Sequence, residues 1–225
     1  MKDLHRKTFV GLLRVFAVMA ALLFLPAWTV HYWQGWLFLS VYFAAISLIF
    51  LYLMKNDPKL LERRATRRLS DEKEKTQKVI QIVMLTTFVV AYVFPAFDHR
   101  FAWSKVPPYA VVAGDVLVVL GLLIVFIVFR ENTYTSPVIE LDAEQKVIST
   151  GPYALVRHPL YAGSLIGLFG MPLALGSWWG LFAFIPITLV LVWRLVAEEK
   201  FLVKNLPGYS DYRNKVKYRL LPFLW

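Results

Sequence analysis

The chain has 225 residues, of which 58% are hydrophobic, and it carries a formal net charge of +10. Such a composition is too apolar for a soluble domain, and its apolar runs approach the length of a membrane span. Cysteine is absent, which excludes disulfides, thiolate metal sites and a cysteine nucleophile. We therefore expect an all-α polytopic membrane protein that forms a single integral membrane domain over residues 1–225.

Several apolar segments have about the length that crosses roughly 30 Å of hydrocarbon. They lie at residues 9–30, 33–54, 78–97, 109–130, 159–176 and 178–199. The fifth segment is short and contains glycine, so it is expected to be tilted or to span only part of the bilayer. Only the turn GSWWG separates the last two segments, which predicts a C-terminal helical hairpin. The count is therefore five to six transmembrane helices.

Basic residues concentrate on one side of these segments, at the N-terminus, in the loop 55–78 and in the C-terminal tail. Tryptophans lie at the opposite ends of the segments, at positions 28, 33, 36, 103, 178 and 179. The positive-inside rule then places the basic ends and both termini in the cytoplasm, with an aromatic belt at the other interface. Acidic residues interleave with the basic ones in 55–78, which favours a solvated helix beside membrane lipids over a nucleic-acid patch.

A polar segment, STGPYALVRHPLYAG at 149–163, interrupts the apolar sequence at the same side as the basic loops. Pro159 suits the first turn of a helix, so the fifth span is expected to begin near His158 with free backbone N–H groups. Helix ends of this kind bind anionic or polar ligand groups. Glycines that permit close approach of another helix or of a ligand follow at positions 163, 167 and 170.

Charged residues also occur near the end of the last apolar segment. Arg194 and Glu198 are four residues apart and share one helix face, while Glu199 points about 100° away. They form either an ion pair at the surface of the helix or part of a site shared with the segment 149–163. The few histidines are spread over both sides of the membrane, so no metal site is expected.

Three runs, VISTGPYALVRHPLYAG, WRLVAEEKFL and GYSDYRNKVKYRLLP, follow one another in this order. They resemble the prokaryotic branch of the isoprenylcysteine carboxyl methyltransferase family, which is related to the phospholipid N-methyltransferases. The resemblance covers about residues 130–222 and divides the domain into N-terminal spans (1–130) and a cofactor-binding half (131–225). It implies a protein of the prokaryotic inner membrane whose active site faces the cytoplasm.

The resemblance also implies S-adenosyl-L-methionine as cofactor, bound at the cytoplasmic face by the connecting segment and the final hairpin. The matching cofactor contacts are Gln145, Lys146, Val147, Ile148, Tyr153, His158, Pro159, Leu160, Tyr161 and Glu198. Arg194 matches the residue that orients the substrate. This agrees with the chemistry of the side chains, because a carboxylate suits the cofactor's ammonium group and tyrosine faces suit its cationic sulfur. Arginine can hold a substrate carboxylate or phosphate by two hydrogen bonds.

The expected function is therefore methyl transfer to a lipophilic small-molecule or lipid acceptor, at a carboxylate (O-methylation) or at an amine. Nucleic acid is not an expected partner, and the oligomeric state is left open. One alternative is a membrane NADPH-dependent reductase related to the sterol reductases, which share the run Arg-His-Pro-x-Tyr-x-Gly found at 157–163. A non-catalytic lipid-binding protein is another. The C-terminal YRLLPFLW either re-enters the membrane or caps the cofactor site.

Overall fold

The computed structural model describes residues 2–66, 75–138, 141–142 and 145–225, and within these ranges the chain is helical without strands. The α-helices are α1 (Lys2–Ala27), α2 (Trp33–Asn56), α3 (Pro58–Thr66), α4 (Lys75–Phe101), α5 (Pro108–Glu131), α6 (Pro159–Ala174), α7 (Phe184–Asn205) and α8 (Tyr209–Lys215). Short 3-10 helices occupy Gly151–Ala154 and Trp179–Ala183. The predicted all-α architecture is confirmed.

Five segments are long and apolar enough to cross a membrane: α1, α2, α4, α5, and α7 together with the 3-10 turn before it. The remaining apolar helix, α6, has 16 residues and so measures about 24 Å. It nevertheless reaches the far end of the bundle, where Tyr32 donates a 2.5 Å hydrogen bond to the carbonyl of Leu175. Nearby, the Ser177 hydroxyl donates to Asp98 at the end of α4. The predicted count of five to six helices is confirmed.

Glycines let α5 and α6 pack with their backbones in contact, and this is the most extensive helix pair of the described residues. A Cβ on Gly121 would lie 2.5 Å from the carbonyl oxygen of Gly163, and one on Gly170 would lie 2.6 Å from that of Gly114. The predicted short connection between α6 and α7 is present. However, α7 packs mainly against α4 and much less against α6, so α6 takes its position from α5.

The loop 55–78 differs in part from the solvated helix that its charge pattern predicted. Its centre, residues 67–74, lies outside the described residues, and α3 is described up to Thr66. Within α3, Leu60 and Leu61 are buried completely or nearly so. The guanidinium of Arg64 lies 4.5 Å from the ring centroid of Phe129 on α5. The helix α3 is therefore amphipathic: Lys59 and Glu62 are exposed as predicted, while its apolar face packs onto the bundle.

The C-terminal segment folds back onto the start of α6. Gly208, at φ +81°, makes the turn into α8 in a backbone region that favours glycine. Farther on, the backbone N–H groups of Arg157 and His158 donate 2.9 Å hydrogen bonds to the carbonyls of Tyr218 and Arg219. This pairing fixes the segment YRLLPFLW beside the residues that precede α6.

Candidate active site

A polar cleft opens where the connecting segment 132–158 meets the ends of α6 and α7. The predicted site residues all line it, although they come from four separate parts of the chain. These are Gln145, Lys146, Val147, Ile148, Tyr153, His158, Pro159, Leu160, Tyr161, Arg194 and Glu198. The helix α6 begins at Pro159, as predicted, with His158 as its N-cap. Folding thus brings the residues together, while their roles as cofactor and substrate contacts remain predictions.

One tyrosine connects the two charged residues of α7. The Tyr161 hydroxyl donates a hydrogen bond to the Glu198 carboxylate and accepts one of 3.1 Å from Arg194 Nε. A second nitrogen of Arg194 donates to the carbonyl of Pro137 at 2.8 Å. Arg194 is only 5% exposed. The pair is therefore built into the site through Tyr161, unlike an ion pair on an exposed helix surface.

Aromatic side chains form the side of the cleft nearest the C-terminal segment. The Tyr153 hydroxyl accepts a 2.9 Å hydrogen bond from Asn132, and its carbonyl accepts one of 2.8 Å from the Tyr212 hydroxyl. Burial raises the pKa of Tyr153 to about 12, and the Glu198 and Glu131 carboxylates add to this. Burial also raises the pKa of Tyr209 and Tyr212. These phenols are neutral at neutral pH and can only donate or accept hydrogen bonds.

An ionic cluster beside the cleft is centred on Glu199, which is buried. Its two carboxylate oxygens accept hydrogen bonds from Arg157 Nε at 2.6 Å and from Arg219 Nε at 2.9 Å. Nε2 of His158 lies 3.5 Å from the same carboxylate. Glu199 is 5% exposed and Arg157 6%. The cluster thus ties α7, the start of α6 and the C-terminal segment together, with Arg157 in a structural role.

A second cavity of about 560 Å³ lies deeper in the bundle, between α1, α2, α4, α5, α6 and α7. Its walls are mainly apolar side chains, such as Met84, Phe88 and Leu122. It also contains Arg64 of α3. The polar cleft and this apolar cavity share four lining residues: Ser136, Leu160, Tyr161 and Arg194. Tyr161 and Arg194 therefore stand where a polar and an apolar compartment meet.

The structure adds cleft residues that the sequence interpretation did not name. They are Asn132, Tyr134, Thr135, Ser136, Val138, Arg157, Leu202, Leu206, Tyr209 and Tyr212. Tyr209 and Tyr212 could have been found, because two tyrosines three residues apart share a helix face. Residues 132–138 carry no such signal, since they follow α5 without a repeating pattern. The cleft lining ends at Tyr212, so the C-terminal YRLLPFLW packs outside the cleft.

The donors and acceptors of the cleft fit S-adenosylmethionine. The Tyr209 hydroxyl is buried with no hydrogen-bond partner among the described residues, which leaves it available to a ligand. Glu198 supplies a carboxylate for an ammonium group, and Tyr153 supplies an aromatic ring in the same cleft. By contrast, the described ranges contain no group of three or more His, Asp or Glu side chains that could hold a metal ion.

Comparison with known proteins identifies methyltransferase relatives of this chain. The family model for phospholipid methyltransferases matches residues 109–207, which include nearly all of α5, all of α6 and α7, and most of the cleft. The chain is 30% identical over 152 residues to a "Probable protein-S-isoprenylcysteine O-methyltransferase" of Oryza sativa subsp. japonica, covering 64% of this chain and 74% of that protein.

Proteins named for metal resistance are also similar. The chain is 27% identical over 135 residues to the cobalt-zinc-cadmium resistance protein CzcN of Cupriavidus metallidurans, which covers 59% of this chain. The matched region spans only 58% of CzcN. Over 72 residues it is 31% identical to the nickel-cobalt-cadmium resistance protein NccN of Alcaligenes xylosoxydans xylosoxydans, covering 31% of this chain and 33% of that protein. The match to the rice protein covers a larger share of that protein's length than the match to either resistance protein. On this evidence the chain belongs to the isoprenylcysteine carboxyl methyltransferase family of membrane methyltransferases.

Proposed function

We propose that the protein uses S-adenosylmethionine to methylate the carboxylate of a lipophilic acceptor. One observation carries this proposal: a polar cleft and an apolar cavity share Tyr161 and Arg194. A polar, charged cofactor and an apolar acceptor need separate compartments, and a methyl group can pass between them only where those compartments touch. The polar cleft and the apolar cavity touch in this way at Tyr161 and Arg194.

In the polar cleft, Glu198 would bind the ammonium group of the cofactor, and the neutral phenols of Tyr153 and Tyr209 would contact its polar and aromatic parts. When bound, S-adenosylmethionine supplies an electrophilic methyl group on a sulfonium. Tyr161 holds Glu198 and Arg194 in fixed positions through its hydroxyl. The protein's contribution is then positioning and the exclusion of water.

A carboxylate acceptor needs no general base, because it is already anionic at neutral pH. Arg194 is placed to hold such a group at the junction, since a guanidinium binds carboxylate by two parallel hydrogen bonds. The apolar side chains around the deeper cavity would bury the acceptor's tail. By the positive-inside rule the cleft faces the cytoplasm, which we propose as the side from which the cofactor enters.

The proposal is tested by titrating S-adenosylmethionine into the purified protein by calorimetry, with NADPH in parallel and Glu198→Ala as a variant. We expect S-adenosylmethionine to bind, NADPH not to bind, and the variant to lose most of the affinity. Methyl transfer is then followed by mass spectrometry with isotopically labelled cofactor and palmitate or hexadecylamine as acceptor.

Each result assigns a different function. Binding of NADPH instead of S-adenosylmethionine would overturn the proposal in favour of the reductase. If neither ligand binds, a non-catalytic lipid-binding function replaces it. Binding of S-adenosylmethionine with methylation of hexadecylamine and not of palmitate would retain the methyltransferase and overturn the carboxylate acceptor.

A further inference from the structure

Arg64 is a cation inside a mainly apolar cavity. It projects from α3 into the 560 Å³ cavity, and its guanidinium packs over Phe129 at 4.5 Å from the ring centroid. The terminal nitrogen Nη1 is buried with no hydrogen-bond partner among the described residues. The ion pairs of Asp142 and Glu199 involve Arg63, Arg157, His158 and Arg219, and not Arg64.

Arg64 is half-buried, and desolvation of its Nη1 is costly because no described residue supplies a partner charge. Burial lowers the pKa of Arg64 to about 10, while the nearby Tyr161 acts in the opposite direction. The side chain therefore stays charged at neutral pH. An arrangement of this kind becomes favourable when an anion occupies the same cavity.

The position of Arg64 indicates that the anion is the head group of an amphiphile. Arg64 lines the same cavity as Tyr161 and Arg194, but it comes from α3, outside the region 109–207 that matches the family model. Most of the cavity wall is apolar, with Met84, Leu85 and Phe88 of α4 among its residues. A ligand that fills the cavity would thus carry its charge at one end and an apolar chain behind it.

We propose that Arg64 binds the carboxylate of the acceptor and selects anionic amphiphiles over amines of the same chain length. The proposal rests on the proposed function, since it assigns the acceptor's head group to the junction of the two compartments. Arg194 also hydrogen-bonds Tyr161 and Pro137, so Arg64 supplies a second positive charge, beside Arg194, that meets the ligand's head group. A protonated amine would be repelled by both guanidinium groups.

The test uses the full-length protein in nanodiscs of zwitterionic lipid, with palmitate, hexadecylamine, hexadecanol and hexadecyl phosphate as probes. We expect palmitate to bind the wild type at least about tenfold more tightly than hexadecylamine or hexadecanol, because hydrogen bonds to charged groups are the strong ones. Arg64→Gln should remove this preference, and Arg64→Lys should retain part of it. Lys59→Gln is the matched control, because Lys59 is an exposed cation on the same helix.

Thermal stability separates a binding role from a structural one. Arg64→Gln removes a half-buried charge that has no ion-pair partner among the described residues, so its melting temperature without ligand should equal or exceed that of the wild type. A lower melting temperature together with unchanged palmitate affinity would overturn the proposal. So would an equal preference for palmitate in wild type and Arg64→Gln, while tighter binding of hexadecyl phosphate would overturn the choice of a carboxylate.

Titration of S-adenosylmethionine keeps this proposal distinct from the proposed function. Arg64 does not line the polar cleft, so Arg64→Gln should bind S-adenosylmethionine as the wild type does. If the wild type fails to bind S-adenosylmethionine but shows the Arg64-dependent preference for palmitate, the methyltransferase proposal fails and Arg64 remains an anion-binding residue. If S-adenosylmethionine binds and the preference is absent, only the Arg64 proposal fails.

Discussion

Tyr161 and Glu198 join α6 to α7 by a hydrogen bond from the tyrosine hydroxyl to the carboxylate, beside the polar cleft. The same hydroxyl accepts a hydrogen bond from Arg194. A single phenol thus bridges a carboxylate suited to a cationic ligand and a guanidinium suited to an anionic one. Both compartments of the site depend on this contact, because Tyr161 lines each of them.

Replacing Tyr161 by phenylalanine should lower kcat/KM for methyl transfer by about tenfold to a hundredfold, since the variant loses hydrogen bonds to two charged groups. The apolar ring remains in place, but Arg194 loses a buried hydrogen bond, so the melting temperature should fall moderately. Steady-state kinetics with labelled S-adenosylmethionine measures the effect. Tyr109→Phe is the control, because Tyr109 lies at the start of α5 and is 78% exposed. Equal activity of the two variants would show that the Tyr161 hydroxyl is dispensable.

Glu198→Gln should weaken S-adenosylmethionine binding by about tenfold or more, because the neutral amide cannot neutralise an ammonium group. The fold should persist, since the amide oxygen of the introduced glutamine can still accept a hydrogen bond from Tyr161. Calorimetry and thermal unfolding of the same preparation check both parts. A variant that loses stability while it keeps its affinity would contradict this assignment.

Glu199→Gln, unlike Glu198→Gln, should lower stability, and we expect it to destabilise the protein by about 3 kcal/mol or more. The substitution leaves Arg157 buried without a full counter-charge and weakens the hydrogen bond from Arg219. A lower melting temperature and faster proteolysis of the C-terminal segment are the measurements. Asp211→Asn, an exposed acid on α8, provides the control. Wild-type stability of Glu199→Gln would mean that the ionic cluster does not hold the C-terminal segment.

Two glycines of α6 should respond differently to alanine. Gly170→Ala places a Cβ 2.6 Å from the carbonyl oxygen of Gly114 and should cost about 1–3 kcal/mol through overpacking. Gly167→Ala meets its nearest atom, the Val118 carbonyl oxygen, at an ordinary 3.9 Å and should be close to neutral in stability. Melting temperatures in one detergent compare the pair. Similar losses in both variants would exclude backbone contact as the basis of the α5–α6 packing.

Much of the fold could be predicted from the sequence because its signals are local. The length of an apolar run decides whether a helix can cross the bilayer, and Pro159 alone was enough to place the start of α6. Part of the cleft lining was also predictable, since the resemblance to a known family lies in three short runs whose order is preserved. The glycines of α6 indicated close packing, but they did not identify α5 as the partner.

Only the tertiary structure shows which charged residues, far apart in sequence, contact one another. Glu199 differs from Glu198 by one position, yet it faces Arg157, 42 residues away, and forms a buried cluster instead of a ligand site. In the sequence, Arg64 is one of many basic residues in the loop 55–78, and only the structure shows that its guanidinium packs over Phe129. The physical reason is the same in both cases. Periodicity assigns a side chain to a helix face, whereas the partner that faces it, and hence its burial and charge balance, depends on how the helices pack.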